Sequence, residues 1–171
     1  MQEIYIENLK EVIRGKARLQ KELKVKITNK GKNVFVNGTA DNEFLAMQVL
    51  EAVKAGFSVD NALKLTENEN ILQIVHIKDI TNRNDLDRVR GRIIGSSGRT
   101  LATLKKLTNC DISLQDNEIG LIGDAEGMDD SVQAVTSLVQ GSKQGNVYAR
   151  LERETKKKRS KKEMNIKNEL G

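Results

Sequence analysis

Two glycines three residues apart, Gly95 and Gly98, constrain the fold of this chain more than any other feature. Apolar residues lie on both sides of the pair, and those after it have helical spacing: Ile93, Ile94, Leu101, Leu104 and Leu107. The pattern predicts a helix, a tight turn and a second helix that runs to Thr108. Glycines let another backbone come close to the turn, and the free N–H groups at the start of a helix attract anions. The stretch therefore suits a phosphodiester backbone.

Glycine spacing alone is weak evidence, because 13 glycines in 171 residues produce about one such pair by chance. A second pair, Gly120 and Gly123, falls in a predicted hairpin. The order of the surrounding elements is more specific. It predicts a strand over 71–77, a helix capped by Asn84, the glycine turn, a helix to 108, strands over 111–114 and 119–123, and a helix over 128–140. This order resembles a KH module, whose glycine loop clamps the backbone of four nucleotides.

The first half of the chain predicts the same order without the glycine loop. Strands are expected over 2–7, 24–28 and 33–37, and helices over 9–23 and 41–55. A shift of 85 residues places Val36 and Gly38 on Leu121 and Gly123, which indicates an internal repeat. When Ile13 is matched with Ile94, the first copy is six residues shorter and keeps only Gly15. We expect an α+β chain of two tandem KH-like domains (type I, β-α-α-β-β-α), of which the first lacks its Gly-x-x-Gly loop.

Four segments follow from this interpretation. Residues 1–56 form a degenerate KH-like domain, 57–70 a helical connector, 71–144 a KH domain with the glycine loop, and 145–171 a basic C-terminal helix and tail. We expect Val147 and Leu151 to anchor the start of the last helix. Residues from Lys161 onward are expected to lack regular structure without a partner.

Positive charge is concentrated where a polyanion would bind. The net charge is +5, and residues 150–171 carry nine Lys or Arg against four Asp or Glu, so the rest of the chain is neutral. Within that neutral part, residues 83–106 hold seven bases against two acids: Arg83, Arg88, Arg90, Arg92, Arg99, Lys105 and Lys106, with Asp85 and Asp87. For the tail, phosphate binding and a merely solubilising role are equal alternatives.

Other classes of protein are less compatible with the composition. Aromatic residues make up 3%, which argues against a domain that stacks bases on a sheet. The single cysteine, Cys110, excludes a disulfide framework and a cysteine zinc site. The lone histidine, His76, is interpreted as structural, and Asp129 and Asp130 as helix-start carboxylates. We therefore expect a cytoplasmic binding protein, not an enzyme, with no cofactor, metal or membrane span. A protein-interaction adaptor with little RNA affinity is the main alternative.

The whole chain also resembles the archaeal members of a family of rRNA-processing KH proteins. That family contains the small-subunit assembly factor that partners the endonuclease maturing the 3′ end of small-subunit rRNA. The matching stretches are 55–58, 62–65, 91–95, 98–100, 107–108, 122–124 and 147–153. The resemblance implies binding to single-stranded rRNA near that 3′ end through the second domain. It also implies contact with the endonuclease and suggests a link to the alpha subunit of archaeal initiation factor two.

The resemblance assigns roles to residues around the turn. Residues 95–98 would cradle phosphates, Arg92 and Arg99 would neutralise them, and apolar side chains would form the groove floor, where core packing is the competing role for Ile112. The predicted RNA-binding set is Arg92, Ile94, Gly95, Ser96, Ser97, Gly98, Arg99, Thr100, Leu101, Lys105 and Leu114. In the first copy, Arg14, Lys16 and Arg18 offer a diffuse basic edge, for which a scaffold or protein-contact role is favoured over RNA binding.

Overall fold

The first half of the chain forms a three-stranded antiparallel sheet covered on one face by two helices. The computed structural model describes all 171 residues. In chain order this half contains β1 (Gln2–Tyr5), α1 (Lys10–Leu23), β2 (Lys26–Lys30), β3 (Asn33–Asn37) and α2 (Ala40–Lys54), with β3 in the centre of the sheet. Alternation along the strands places Ile4, Val34 and Val36 beneath the helices, in one buried core.

A short connector leads into a second sheet of the same topology. The connector consists of α3 (Val59–Ala62) and a 3-10 turn (Leu63–Thr66). The second half contains β4 (Ile71–His76), α4 (Ile77–Ile80), α5 (Leu86–Ile94), α6 (Arg99–Thr108), β5 (Asp111–Gln115), β6 (Glu118–Gly123) and α7 (Ala125–Val139), and α8 (Gln144–Leu170) follows. β6 is the central strand of this sheet. The predicted α+β class and the order of the main elements are confirmed.

The repeat is regular over the later part of each half. α2 and α7 are offset by 85 residues at both ends, and their capping residues, Thr39 and Asp124, have the same offset. Each cap accepts a hydrogen bond from the backbone N–H three residues on. The predicted shift of 85 is therefore confirmed for these helices.

N-terminal to these helices, the first copy is shorter than the sequence match suggested. From the end of the first strand to the end of the helix before the second strand there are 18 residues in the first copy (6–23) and 32 in the second (77–108). The first copy thus lacks 14 residues, not six, and α1 replaces α4, α5, the glycine turn and α6. Gly15 lies within α1, where a Cβ would be 2.7 Å from a methyl carbon of Val59. It serves close packing of α1 on α3 and is not a remnant of the loop.

Two expectations at element ends were wrong. The residue that precedes α5 is Asp85, not Asn84, and no side chain caps this helix. α8 continues through Leu170 instead of losing structure after Lys161. Residues 146–170 contain no glycine or proline and many strong helix formers, which explains the continuous helix. None of the helices combines the length and apolar composition needed to span a membrane.

β6 is buried on both faces, which joins the two halves. Ile119 and Leu121 point toward the helices of the second half and belong to its core. Ile122 points the other way and belongs to the core of the first half. On the neighbouring strand, the Ser113 hydroxyl donates to the Ala55 carbonyl oxygen at 2.9 Å. The first half therefore covers the outer face of the second sheet.

Both glycines of β6 serve close packing, Gly120 between the halves and Gly123 within the second half. A Cβ on Gly120 would lie 2.7 Å from a ring carbon of Phe57 and 3.2 Å from the Ala55 methyl. A Cβ on Gly123 would overlap the Cys110 sulfur. Neither glycine belongs to a loop that faces solvent.

The first sheet has no such cover on its outer face. Phe35 occupies the position in β3 that Gly120 occupies in β6, and Asn37 occupies the position of Ile122. Phe35 is half-buried, while Tyr5 on the neighbouring strand is 51% exposed. The equivalent faces of the two sheets thus have different side chains and different surroundings.

Gly120→Ala is expected to lower the free energy of unfolding by about 1–3 kcal/mol, because the added methyl group overpacks the contact between the halves. Gly91→Ala is the matched control. Gly91 lies exposed within α5 with no atom within 4 Å of a Cβ, so its replacement should stabilise the helix by about 0.5–1 kcal/mol. Urea denaturation of both variants tests the contrast, and equal stability of the two would contradict the described packing.

Candidate nucleic-acid interface

The turn between α5 and α6 adopts a backbone that requires glycine at its first position. Gly95 has φ +75° and ψ 173°, a combination that only glycine adopts readily. Ser97 and Gly98 follow with φ +55° and +75°, and α6 begins at Arg99. The Gly98 N–H donates to the Gly95 carbonyl oxygen at 3.2 Å. This geometry is the helix, tight turn and second helix expected from the spacing.

Thr100 lies beneath the turn and fixes its shape. Thr100 is only 2% exposed. A Cβ on Gly95 would lie 2.7 Å from the Thr100 Cβ and would overlap its hydroxyl oxygen. Thr100 was predicted to contact RNA. Its buried position indicates instead that it shapes the turn from beneath.

The tip of the turn is open to solvent. Ser96 and Ser97 are exposed, and Gly95 and Gly98 are partly accessible. A Cβ on Gly98 would meet no atom within 4 Å, and no side chain caps the start of α6. A strand can therefore approach the tip and the positive end of the helix dipole without displacing protein groups.

The predicted basic residues divide into free and engaged groups. Arg99, Lys105 and Lys106 are exposed and have no carboxylate within 4 Å. Arg90 is engaged, since its guanidinium donates to the Asn117 side-chain oxygen at 2.8 Å and pairs with Asp87. The exposed cations of the predicted RNA-binding set, Arg99 and Lys105, thus lie on α6.

Arg92 is half-buried and directed toward the start of α8. Its guanidinium donates to the Ser142 carbonyl oxygen at 2.9 Å. A guanidinium has five N–H donors, so this bond does not exhaust it. Arg92 nevertheless has a structural partner that the sequence did not indicate.

The apolar residues of the predicted set differ in accessibility. Ile94 is 39% exposed, while Leu101 and Leu114 are half-buried against the second core. Ile112 is 3% exposed and lies inside that core, so core packing is the role the structure supports. β5, which carries Leu114, is an edge strand of its sheet. Ile94, Leu101 and Leu114 remain accessible enough to contact a base.

Gln144 contacts the turn and was not predicted. Its side-chain N–H group donates to the Thr100 hydroxyl at 2.8 Å and to the Arg92 carbonyl oxygen at 3.4 Å. These partners lie 44 and 52 residues earlier in the chain. No local pattern could have revealed such a contact, and the sequence indicated only a turn at this position.

α8 packs on α6 and α7 over its first half. Val147 and Leu151 are each 5% exposed, as expected for its anchors. Farther along, the Lys158 ammonium lies 2.6 Å from the Asp130 carboxylate. Partial burial opposes the charged form of Lys158, but the Asp130 hydrogen bond and the charges of Asp130, Glu126 and Asp124 outweigh it and raise the pKa. Residues 159–171 are all exposed.

The other candidate metal-binding and reactive side chains are spread over the structure. No group of three or more His, Cys, Asp or Glu side chains is arranged to hold a metal ion. Burial raises the pKa of the Cys110 thiol, which disfavours the reactive thiolate. His76 lies beside Glu118 on the paired strand, with 3.5 Å between the ring nitrogen and the carboxylate.

Gly95→Ala is expected to lower the free energy of unfolding more than Gly98→Ala. The first change adds a methyl group that overlaps Thr100 and forces a glycine-only backbone, a cost of about 2 kcal/mol or more. The second adds a methyl group in open space and carries only the left-handed backbone cost, about 1–2 kcal/mol. Thermal and urea unfolding measure both, and a larger loss for Gly98→Ala would be incompatible with the described turn.

Known proteins resemble both the second half of the chain and the chain as a whole. The family model for the second KH domain of PNO1, described as a eukaryotic type KH-domain (KH-domain type I), matches residues 71–156, half of the chain. A KH domain-containing protein of Methanocaldococcus jannaschii is 30% identical over 149 residues, 83% of this chain and 66% of that protein. The pre-rRNA-processing protein PNO1 of Chaetomium thermophilum is 30% identical over 139 residues, 76% of this chain and 54% of that protein.

The chain thus spans 66% or less of the length of these two curated relatives. Among solved structures, the a/eIF2alpha-aDim2p-rRNA complex from Pyrococcus horikoshii OT3 is similar with a TM-score of 0.84 at 27% identity, covering 91% of this chain and 94% of that chain. The resemblance seen in the sequence is confirmed: the chain belongs to the type I KH-domain family, in the group that contains the pre-rRNA-processing protein PNO1 and the archaeal Dim2p.

Proposed function

We propose that this protein is a single-stranded RNA-binding factor in small ribosomal subunit biogenesis. It binds near the 3′ end of small-subunit rRNA through the turn at 95–98, and it catalyses no reaction. The observation that carries the proposal is the open tip of that turn at the uncapped start of α6. Backbone N–H groups and a helix dipole attract phosphate there, and KH domains use such a loop to clamp four nucleotides.

The roles of the side chains follow from their accessibility. Ser96, Ser97 and Gly98 contact the phosphates, and Arg99 and Lys105 neutralise them. Bases lie toward the partly exposed apolar side chains of Ile94, Leu101 and Leu114. Because the two residues between the glycines are serines, the clamp has no charge of its own and depends on α6 for cations.

The proposed partners are of two kinds. The solved complex that resembles this chain contains rRNA and a/eIF2alpha by its title, which supports rRNA and the alpha subunit of archaeal initiation factor two as partners. Contact with the rRNA-maturing endonuclease rests on the family resemblance alone.

In the first half, Arg14 pairs with Glu11, and Arg18 pairs with Glu22 and Asp60. These pairs support a scaffold role for that half.

Gly98→Asp is expected to reduce the affinity for single-stranded rRNA at fixed salt by at least tenfold, because it places a side chain and a negative charge where phosphate approaches. Gly98→Asn is the matched control. It adds almost the same volume without charge, and asparagine tolerates the left-handed backbone, so it should bind with intermediate affinity. Fluorescence anisotropy with a labelled 3′-terminal rRNA fragment measures both.

Circular dichroism tests whether each variant is folded, which is expected because a Cβ on Gly98 would meet no atom within 4 Å. Unchanged affinity in folded Gly98→Asp protein would refute the clamp. It would favour the adaptor, a KH scaffold that binds protein partners only.

Removal of residues 159–171 is expected to flatten the dependence of RNA affinity on salt. The deletion leaves the docked Lys158 in place but removes four exposed cations, Arg159, Lys161, Lys162 and Lys167. Each phosphate contact on a single strand contributes about 0.7 to the slope of log affinity against log salt, so the slope should fall by up to about 3. Removal of 168–171, which contains no base, is the control. An unaltered slope in the longer deletion would assign the tail a solubilising role.

A further inference from the structure

We infer that Gln144 is a positioning residue of the RNA clamp, so that docking of α8 and binding of RNA at the glycine turn are coupled. This inference rests on the proposed function of the turn. It concerns a residue outside the glycine motif and outside the two helices that flank it.

The Gln144 amide holds the turn at both ends. It donates to the Thr100 hydroxyl at 2.8 Å, and Thr100 is the buried side chain that packs against Gly95. It also donates to the carbonyl oxygen of Arg92, near the end of α5, at 3.4 Å. The last residues of α5 and the first turn of α6 are therefore bridged by a single side chain.

Arg92 makes the connection reciprocal. Its guanidinium donates to the Ser142 carbonyl oxygen at 2.9 Å, just before α8 begins. A Cβ on Gly141 would lie 3.5 Å from the Arg92 side chain, so this segment passes close to the guanidinium. Gln144 is bound to the backbone of Arg92, and the backbone of Ser142 is bound to the side chain of Arg92. The segment 141–144 and the glycine turn thus form one hydrogen-bonded unit.

The remainder of α8 keeps Gln144 in place. Val147 and Leu151 are buried against the second core, and Lys158 pairs with Asp130. The family match also extends beyond α7, to residue 156. If RNA binding requires the ordered turn, then a docked α8 raises RNA affinity, and bound RNA must stabilise the docked helix by the same factor.

The test compares Gln144→Ala with Gln140→Ala in the full chain. Gln140 is an exposed glutamine at the end of α7 whose side chain makes no hydrogen bond. Gln144→Ala is expected to weaken binding of a labelled 3′-terminal rRNA fragment by about threefold to tenfold, as expected for loss of one or two hydrogen bonds. Gln140→Ala should bind as the unaltered protein does.

Hydrogen exchange distinguishes positioning from a general loss of stability. In the free protein, the Gly95 N–H donates to the Gly91 carbonyl oxygen of α5, and the Gly98 N–H donates to the Gly95 carbonyl oxygen. Both amides should exchange faster in Gln144→Ala while amides of β6 are unaffected. Saturating RNA should slow exchange at residues 147–155 in the unaltered protein and less so in Gln144→Ala.

The possible failures are distinct. If the unaltered protein does not bind the RNA, the proposed function fails, while the exchange at Gly95 and Gly98 still reports whether Gln144 positions the turn. If the unaltered protein binds and Gln144→Ala binds equally, with unchanged exchange in the turn, the inference fails and the proposed function stands.

Discussion

The burial of β6 on both faces is the constraint on which the rest of the molecule depends. Its alternate residues enter two different cores, with Ile119 and Leu121 in one and Ile122 in the other. The strand can do this only because Gly120 lets Phe57 and Ala55 approach. The second sheet is therefore held between its own helices and the first half. The glycine turn joins two of those helices, and its tip is open to solvent.

Helical and strand periodicity predicted most of the elements, because alternate burial leaves a direct pattern in the sequence. α2 and α7 were predicted to within a few residues, and their offset of 85 is evident in the sequence. The number of residues missing from the first copy was predicted wrongly, because matching Ile13 with Ile94 assumed that α1 corresponds to the helix before the turn. The structure shows that α1 takes the place of the whole helical pair. A single pair of apolar residues is too little to align two copies across a deletion.

The candidate site was predicted in part. The glycine motif identified the turn and the cations of α6, because both are local in sequence. Thr100 was placed in the RNA-binding set by the family resemblance, although the first turn of α6 directs its side chain inward. Gln144 was missed since contacts across 44 residues leave no periodic trace. The bonds of Arg90 to Asn117 and of Arg92 to Ser142 were hidden for the same reason, as these partners are distant in the chain.

The outer faces of the two sheets are not equivalent as packing surfaces. A further KH unit stacked there as the first half is stacked on the second would need a small residue where Phe35 stands and an apolar one where Asn37 stands. Phe35 would collide with the incoming chain, and the amide of Asn37 would lose its hydration without a partner. The outer face of the second sheet accepts another unit because Gly120 leaves room for it, whereas Phe35 and Asn37 on the first sheet oppose the same kind of packing.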